Sequence, residues 1–177
     1  WGNSKNYGRG NSEDQVLFAP HSANWIQSGN FGERNILIYN NGVNQPGVDF
    51  SSVIEIELPI NPEGSYYIEP FEAFNPIAPD WTFEDGSYFS QFQSGAFRLE
   101  NNNTLVTVSD DNYLFEVTTA GEIIWDYVNN EGGFIARALS YEMEFTFEDI
   151  NHDGYVDIFD LLILINYILE TTEYSMS

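Results

Sequence analysis

Three things are scarce in this sequence: cysteine, positive charge and long apolar runs. Cysteine is absent, which excludes disulfide bonds and thiolate metal sites. Only five Lys and Arg residues stand against 28 Asp and Glu residues, which gives a net charge of −23. Nucleic-acid phosphates and anionic membrane surfaces are bound by basic side chains, so both partners are excluded. The longest apolar run, Leu161 to Ile165, is too short for membrane insertion.

The predicted secondary structure changes near residue 145. The 177 residues suit one domain with a small appendage. Before the division, short β-rich runs alternate with turn clusters such as Asn40-Asn41-Gly42, and after it a polar loop precedes an apolar helix. We therefore predict a mainly β domain over 1–145 and a separate module over 146–177. The predicted strands are Asn35–Tyr39, Ser52–Leu58, Tyr66–Glu69, Ala96–Leu99, Thr104–Val108, Tyr113–Val117 and Glu122–Val128, and the predicted helix is Ile158–Leu169.

A degenerate internal repeat organises the β region. His21–Ile26 matches Ser94–Leu99, two further strands follow in each unit, and each unit closes with a Trp-x-aromatic strand at Trp81 and Trp125. Four antiparallel strands repeated at about 40–45 residues are typical of a β-propeller. Residues 134–139 resemble the first strand of a third unit. Two blades and a fraction cannot close a propeller, so we expect the C-terminal part of a longer chain, with Trp1 ending a preceding blade.

A calcium-binding loop of the EF-hand kind is predicted at residues 149–160. Calcium takes six to eight oxygen ligands, which a twelve-residue loop supplies from positions 1, 3, 5, 7, 9 and 12. Gly154 at position 6 permits the sharp turn, and His152 at position 4 is expected to face solvent. The alternative is a polar turn before a helix. The predicted ligands are Asp149, Asn151, Asp153, the Tyr155 carbonyl, Asp157 and Asp160.

The loop and the following helix resemble one repeat of a dockerin module. The residues that carry the resemblance are the loop spacing, the Asp at position 12 and the run Tyr167-Ile-Leu169. Dockerins contain two such repeats, whereas this chain has one. The resemblance implies bound Ca²⁺, and a partner that is either a cohesin-like protein or another part of the same chain.

An ordered set of short motifs runs through nearly all of residues 1–141. The motifs are Trp1-Gly-Asn, Tyr7-Gly-Arg-Gly10, Leu17-Phe-Ala-Pro-His21, Trp25-Ile26, Asn35-Ile-Leu-Ile-Tyr-Asn-Asn-Gly42, Ser51-Ser-Val-Ile-Glu-Ile56, Ser94-Gly-Ala-Phe-Arg-Leu99, Asn103-Thr-Leu-Val106 and Phe115-Glu-Val-Thr with Gly121-Glu-Ile-Ile-Trp125. In this order they resemble the C-terminal half of the arylsulfotransferase family, and the resemblance implies an extracellular or periplasmic protein.

The arylsulfotransferase resemblance implies a transferase in which a channel histidine takes a sulfuryl group from an aryl sulfate and passes it to a phenol. It places that histidine at His21. Strand parity puts Ser94 and Arg98 on one side, so we expect both to bind the sulfate. Arg137 lies inside a family-like motif and is expected to bind the same anion. The alternative interpretation of His21 is a hydrogen-bonded structural residue. With its channel incomplete, the fragment alone is expected to be inactive.

Two other functions stay open at this point. The first is a non-catalytic extracellular propeller that acts as a scaffold or binds a ligand, tethered through its dockerin-like tail. The second is a glycan-processing component of a larger complex, although no paired carboxylates of a glycosidase stand out in residues 1–145.

Overall fold

The computed structural model of the chain describes residues 2–66, 69–141 and 149–173. The chain forms two compact units, Trp1–Ser140 and Tyr141–Ser177. The predicted boundary between residues 145 and 146 lies outside the described residues, and so does Trp1.

The first unit contains two four-stranded antiparallel sheets. In each sheet, strands that follow one another in sequence are hydrogen-bonded neighbours, in the orders β1-β2-β3-β4 and β5-β6-β7-β8. Two short 3₁₀ turns, Ser4–Tyr7 and Ser12–Asp14, precede the first sheet. The strands are β1 (Pro20–Trp25), β2 (Ile36–Asn40), β3 (Ser52–Ile56), β4 (Trp81–Phe83), β5 (Gly95–Arg98), β6 (Thr104–Val108), β7 (Tyr113–Val117) and β8 (Ile123–Val128).

The two sheets share one hydrophobic core. Alternate residues of each strand point to opposite faces, and one face of each sheet contributes to the core. The first sheet supplies Tyr39 and Phe83, and the second supplies Phe115, whose ring lies 5.6 Å from that of Phe83. Because most of the β-branched and aromatic residues of β2, β3, β6 and β7 are buried, these inner strands hold the first unit together.

The predicted four strands per repeat are confirmed, and most strand boundaries agree within two residues. The predicted strand Tyr66–Glu69 includes residues 67 and 68, which lie outside the described residues; Tyr66 forms an isolated bridge with Ile60. The prediction that residues 134–139 begin another sheet is wrong here, because this segment is not a strand and its backbone bonds to the loop residue Ser94 and to side chains instead. The Ala136 carbonyl accepts from the Ser94 amide, and the Ala138 amide donates to Thr107.

The meander of each sheet is the arrangement of a propeller blade, but the two sheets of the described chain do not close into a ring. The fold is therefore mainly β, with two antiparallel sheets and a C-terminal helix.

In the second unit, the described residues form a loop followed by α1 (Ile158–Glu173). Reciprocal capping starts the helix: Asp157 accepts a hydrogen bond from the Phe159 amide at 2.8 Å, and Asp160 accepts one from the Asp157 amide at 2.8 Å. Helix α1 agrees with the predicted start at Ile158 and extends past Leu169. Among the described residues, no helix has both the length and the apolar character needed to cross a bilayer.

Candidate functional site

Two parts of the molecule hold the residues that the sequence singles out: the loop before α1, and a cleft beside the start of β1 and β5.

The predicted calcium loop is organised by its own carboxylates. The first-position side chain, Asp149, accepts hydrogen bonds from the Asp153 amide (3.1 Å) and the Gly154 amide (2.8 Å). The side chain of Asn151 also accepts from the Asp153 amide, at 2.9 Å. These bonds fold the chain back over the first half of the loop, so the oxygen-bearing side chains lie along one short turn.

Two residues of the loop adopt left-handed backbone conformations. Gly154 has φ 92°, a conformation that glycine adopts without steric cost. His152 has φ 60° and is exposed, as expected for position 4. Sequence reasoning identified the glycine from its place in the motif, whereas the conformation of His152 carries no sequence signal.

Among the described loop residues, Asp160, at the twelfth position, has the side chain that accepts the most hydrogen bonds. Its side chain is buried and accepts from the backbone amides of Ile150 (2.7 Å), Asn151 (3.1 Å) and Asp157 (2.8 Å). Its pKa is lowered from the usual aspartate value, chiefly by the hydrogen bond from the Asp157 amide. Asp160 therefore joins the start of the loop to the first turn of α1.

The donor set fits calcium in chemical type: four carboxylates, one amide oxygen and one backbone carbonyl are hard oxygen ligands. The loop oxygens bond to backbone amides, and in the described part of the chain no three Asp, Glu or His side chains already converge as a metal cluster. Ligand identity and loop shape thus fit the ion, while Asp157 and Asp160 hold the helix start in the same region.

The second candidate site is a cleft of about 460 Å³ in the β unit. Three of the four side chains predicted for sulfuryl transfer line it, namely His21, Ser94 and Arg137, and sequence reasoning missed Ser22 and Gln93 beside them. His21 and Arg137 are exposed, whereas Ser94 is buried. The cleft thus brings an accessible imidazole and a guanidinium to one concave surface.

Ser94 lines the cleft, but its polar atoms are engaged. Its amide donates to the Ser109 hydroxyl (2.8 Å), and its hydroxyl accepts from the Ser109 amide (3.0 Å). Ser109 also donates to the carbonyl of Ala136, next to Arg137. Ser94 therefore stabilises the backbone around the cleft through these hydrogen bonds.

Arg98 is not in the cleft. Its guanidinium is ion-paired with Glu55 of β3 between the two sheets, and it lies 5.1 Å from the Trp81 ring centroid. The strand-parity argument fails because Ser94 precedes β5 with φ 75°, so regular alternation does not extend from Arg98 back to it. Arg98 is therefore a buried structural residue in this unit.

The backbone around the cleft is strained at four non-glycine residues. Ala19, Ser22, Gln93 and Ser94 all have φ between 52° and 75°. The register of β1 also shifts between His21 and Asn24, which marks a bulge. Bulges and positive φ values concentrate at sites where the fold must aim a side chain. No sequence pattern revealed them, because none of these four residues is a glycine.

A glycine allows two walls of the cleft to approach each other. A Cβ atom at Gly95 would lie 2.9 Å from the Ser22 hydroxyl oxygen and 3.2 Å from Cγ of Arg137. The first distance is too short for a carbon atom. Gly95 thus sets the spacing between β1 and the segment that carries Arg137.

Residues 147–177 match the family model of the dockerin type I domain. The match covers the loop, α1 and the residues that follow it, and it leaves the β unit unassigned. No curated protein matches the chain. No solved structure matches it either.

Proposed function

We propose that the C-terminal unit is a calcium-dependent docking module that tethers the β unit to a cohesin-like partner outside the cytoplasm. The observation that carries the proposal is the coincidence of the loop and α1 with the dockerin type I match at residues 147–177. The proposed domain division is residues 1–145 and 146–177. The proposed ligands are Asp149, Asn151, Asp153, the Tyr155 carbonyl, Asp157 and Asp160.

Calcium bound in the loop supplies positive charge that offsets the mutual repulsion of its four carboxylates. The loop's own residues shape the site and start the helix. Asp157 and Asp160 cap α1, and the Asp149 carboxylate, which accepts a hydrogen bond from the Gly154 amide, fixes the turn at Gly154. A hydrogen-bonded loop beside a helix with exposed apolar side chains, including Ile163 and Leu164, is a surface suited to docking a protein.

Calorimetric titration of the chain with calcium tests the ion site. We expect one calcium per chain, with binding lost in Asp149→Ala and in Asp153→Ala. Asp126→Ala is the matched control, since it removes an exposed carboxylate from β8. Titration of the calcium-loaded chain with a type I cohesin module then tests the tether. Calcium binding without cohesin binding would contradict the proposed tether but would support the proposed calcium site.

We further propose that the β unit belongs to a propeller of the arylsulfotransferase type and transfers sulfuryl groups through His21. The specific observation in favour is that His21 and Arg137 line the same cleft. A neutral imidazole is a competent nucleophile near neutral pH, and a guanidinium matches the oxygens of a sulfate. Arg98 has no part in this proposal.

The transfer has two balanced steps. The lone pair of a His21 ring nitrogen attacks sulfur while the sulfur–aryl oxygen bond breaks, and the phenoxide leaves with the electron pair. The hydroxyl oxygen of a second phenol then attacks the same sulfur, the sulfur–nitrogen bond breaks, and the phenol proton passes to solvent. Arg137 offsets the negative charge of the sulfate oxygens in both steps.

Incubation of a closed propeller that contains this β unit with a nitrophenyl sulfate tests the chemistry, because the two sheets alone do not close a channel and are expected to be inactive. We expect release of nitrophenol together with a sulfuryl adduct on His21, seen by mass spectrometry, and neither in His21→Ala. His152→Ala is the matched control. If no adduct or phenol forms, the transferase proposal fails and the non-catalytic scaffold tethered by its docking module becomes the better account.

A further inference from the structure

A hydrogen bond joins His21 to a buried asparagine, Asn41, to which the sequence analysis assigned no functional role. Nδ1 of His21 lies 2.8 Å from Oδ1 of Asn41. An imidazole nitrogen donates when it carries the proton and accepts when it does not, so the chemical nature of the Asn41 atom decides where the ring proton lies.

The orientation of the Asn41 amide follows from its other partners. Its Nδ2 atom donates to the carbonyl of Ser90 at 2.8 Å and to that of Gln93 at 3.4 Å. Carbonyl oxygens only accept hydrogen bonds, so the NH₂ group must lie on that side and Oδ1 must face His21. Asn41 has no exposed surface, which removes water as an alternative partner.

The backbone of Asn41 is held just as firmly. The Ser51 hydroxyl donates to the Asn41 carbonyl at 3.0 Å and accepts from the Ser90 amide at 3.0 Å. Ser51 and Ser90 are both fully buried. Asn41 is therefore clamped between the end of β2, the start of β3 and the segment that leads to β5, and it has no room to turn its amide over.

We infer that Asn41 is a positioning residue that holds neutral His21 as the Nδ1–H tautomer and leaves the Nε2 lone pair as the reactive one. An amide oxygen can only accept, so Nδ1 must carry the proton, and the other ring nitrogen is then unprotonated. Because Asn41 is neutral, it fixes the proton without adding a carboxylate to a unit that is already strongly acidic.

The assignment of the Nδ1–H tautomer depends on the hydrogen bonds alone. The role of Nε2 as the nucleophile rests on the proposed sulfuryl transfer. In that reaction Nε2 forms the bond to sulfur as the aryl–oxygen bond breaks. The Nδ1 proton stays on the ring and continues to donate to Asn41. The ring then carries the positive charge, which favours departure of the sulfuryl group to the phenol.

Nitrogen-15 NMR of the ring nitrogens tests the tautomer directly. The chain has only two histidines, His21 and His152, so His21→Gln assigns both signals. In the wild-type chain, at a pH where the rings are neutral, we expect the His21 signals of a protonated Nδ1 and an unprotonated Nε2. A His21 signal from the Nε2–H tautomer would overturn the inference without any variant being made.

Two asparagine variants separate positioning from stability. Asn40 is buried next to Asn41 but bonds to the Phe18 amide and the Ser52 hydroxyl. Asn41→Ala should move His21 towards the Nε2–H tautomer, and Asn40→Ala should leave it unchanged. Asn41→Asp keeps the acceptor and should restore the Nδ1–H tautomer. Equal tautomer populations in all three variants and the wild type would contradict the inference.

The outcomes for the tautomer and for the proposed reaction are distinguishable. If wild-type His21 is Nδ1–H but forms no sulfuryl adduct in the closed propeller, the transferase proposal fails and the positioning of His21 by Asn41 stands. If the adduct forms, its rate in Asn41→Ala should fall at least tenfold relative to Asn40→Ala. An unchanged rate would contradict the role of Asn41 in the reaction.

Discussion

The guanidinium of Arg98 in β5 is ion-paired with the carboxylate of Glu55 in β3, and each side chain is only 1% exposed. Asn35 donates a second hydrogen bond to Glu55 at 2.7 Å, and the Asn102 carbonyl accepts one from Arg98 at 3.1 Å. Burial lowers the pKa of Arg98, and the charge of Glu55 opposes that shift. The pair therefore links the two sheets in a buried region, where an unpaired charge would lack the hydration it has in water.

Removing one member of this pair should strongly destabilise the β unit. Arg98→Met leaves Glu55 charged and buried, so we expect a loss of about 3–5 kcal/mol in the free energy of unfolding. Glu55→Leu combined with Arg98→Met should recover most of that loss. Denaturant unfolding of the wild type, Arg98→Met and the double variant checks the order.

The exposed pair of Glu33 and Arg34, with 3.6 Å between Oε1 and Nε, is the control for the buried pair. Arg34→Ala should change the free energy of unfolding by less than about 1 kcal/mol. Similar losses from Arg98→Met and Arg34→Ala would show that the buried pair is not a structural link.

Buried tyrosines should make the protein less stable in alkali. Burial raises the pKa of Tyr39 to about 12 and that of Tyr88 well above its usual value of 10. The folded state therefore keeps protons that the unfolded state loses, so stability should fall as pH rises above about 10. The fall attributable to Tyr39 should be about 2–3 kcal/mol, complete near pH 12.

Denaturant unfolding across this alkaline range, compared with Tyr39→Phe, measures the contribution of Tyr39. The variant should lose stability less steeply with pH because one titrating hydroxyl is removed. Parallel curves for the two proteins would exclude Tyr39 as a source of the dependence.

The calcium loop should respond differently to two aspartate substitutions. Asp160→Ala removes the acceptor for three backbone amides, so α1 should lose helical circular dichroism even in a calcium chelator. Asp153→Ala should lower calcium affinity and leave the chelated helix signal nearly unchanged. The comparison is direct because α1 is the α-helix of the described chain. Equal helix loss in both variants would contradict a separate capping role for Asp160.

Low pH should also destabilise α1, because it protonates Asp160. The lowered pKa of Asp160 means that the folded unit gains stability from its ionised form above the ordinary aspartate range. That stability is lost only as pH falls through the lowered folded value. The helix signal of the chelated chain should therefore persist through pH about 4 and decline below it. Asp160→Asn should abolish this acid transition.

Gly95→Ala should reshape the cleft beside His21. The added methyl must displace the Ser22 hydroxyl or the Arg137 side chain, and overpacking of this kind costs about 1–3 kcal/mol. We expect shifted NMR signals for the His21 ring and weaker binding of inorganic sulfate. Gly2→Ala is the control because nothing lies within 4 Å of its Cβ position. Unchanged His21 signals in Gly95→Ala would contradict the close approach at Gly95.

Several elements could be predicted from local sequence patterns. The alternation of Ile54 and Ile56 with charged neighbours predicted β3, and the Trp-x-aromatic closures predicted β4 and β8. The start of α1 was predictable because its capping residues belong to the loop motif itself. Both kinds of signal depend on neighbours within a few residues, which a sequence displays directly.

Arg98 shows where local patterns stop being informative. Its position suggested a sulfate ligand, because alternation along β5 pointed it towards Ser94. The structure instead pairs it with Glu55, which is 43 residues away in sequence. Asn41 was likewise read as a turn residue, although its side chain fixes the His21 ring.

The sequence by itself determined the exclusion of thiolate sites and of anionic partners such as nucleic acid, the two four-stranded repeats, and the oxygen-rich loop before a helix. Each of these depends on composition or on spacing within a short segment. Only the tertiary structure decided which side chains share the His21 cleft, that Arg98 is buried with Glu55, and which way the Asn41 amide faces. Those relationships join strands far apart in sequence, so they depend on how the two sheets pack. They also depend on a β-bulge and on left-handed backbone conformations at non-glycine residues, which the residue types do not reveal.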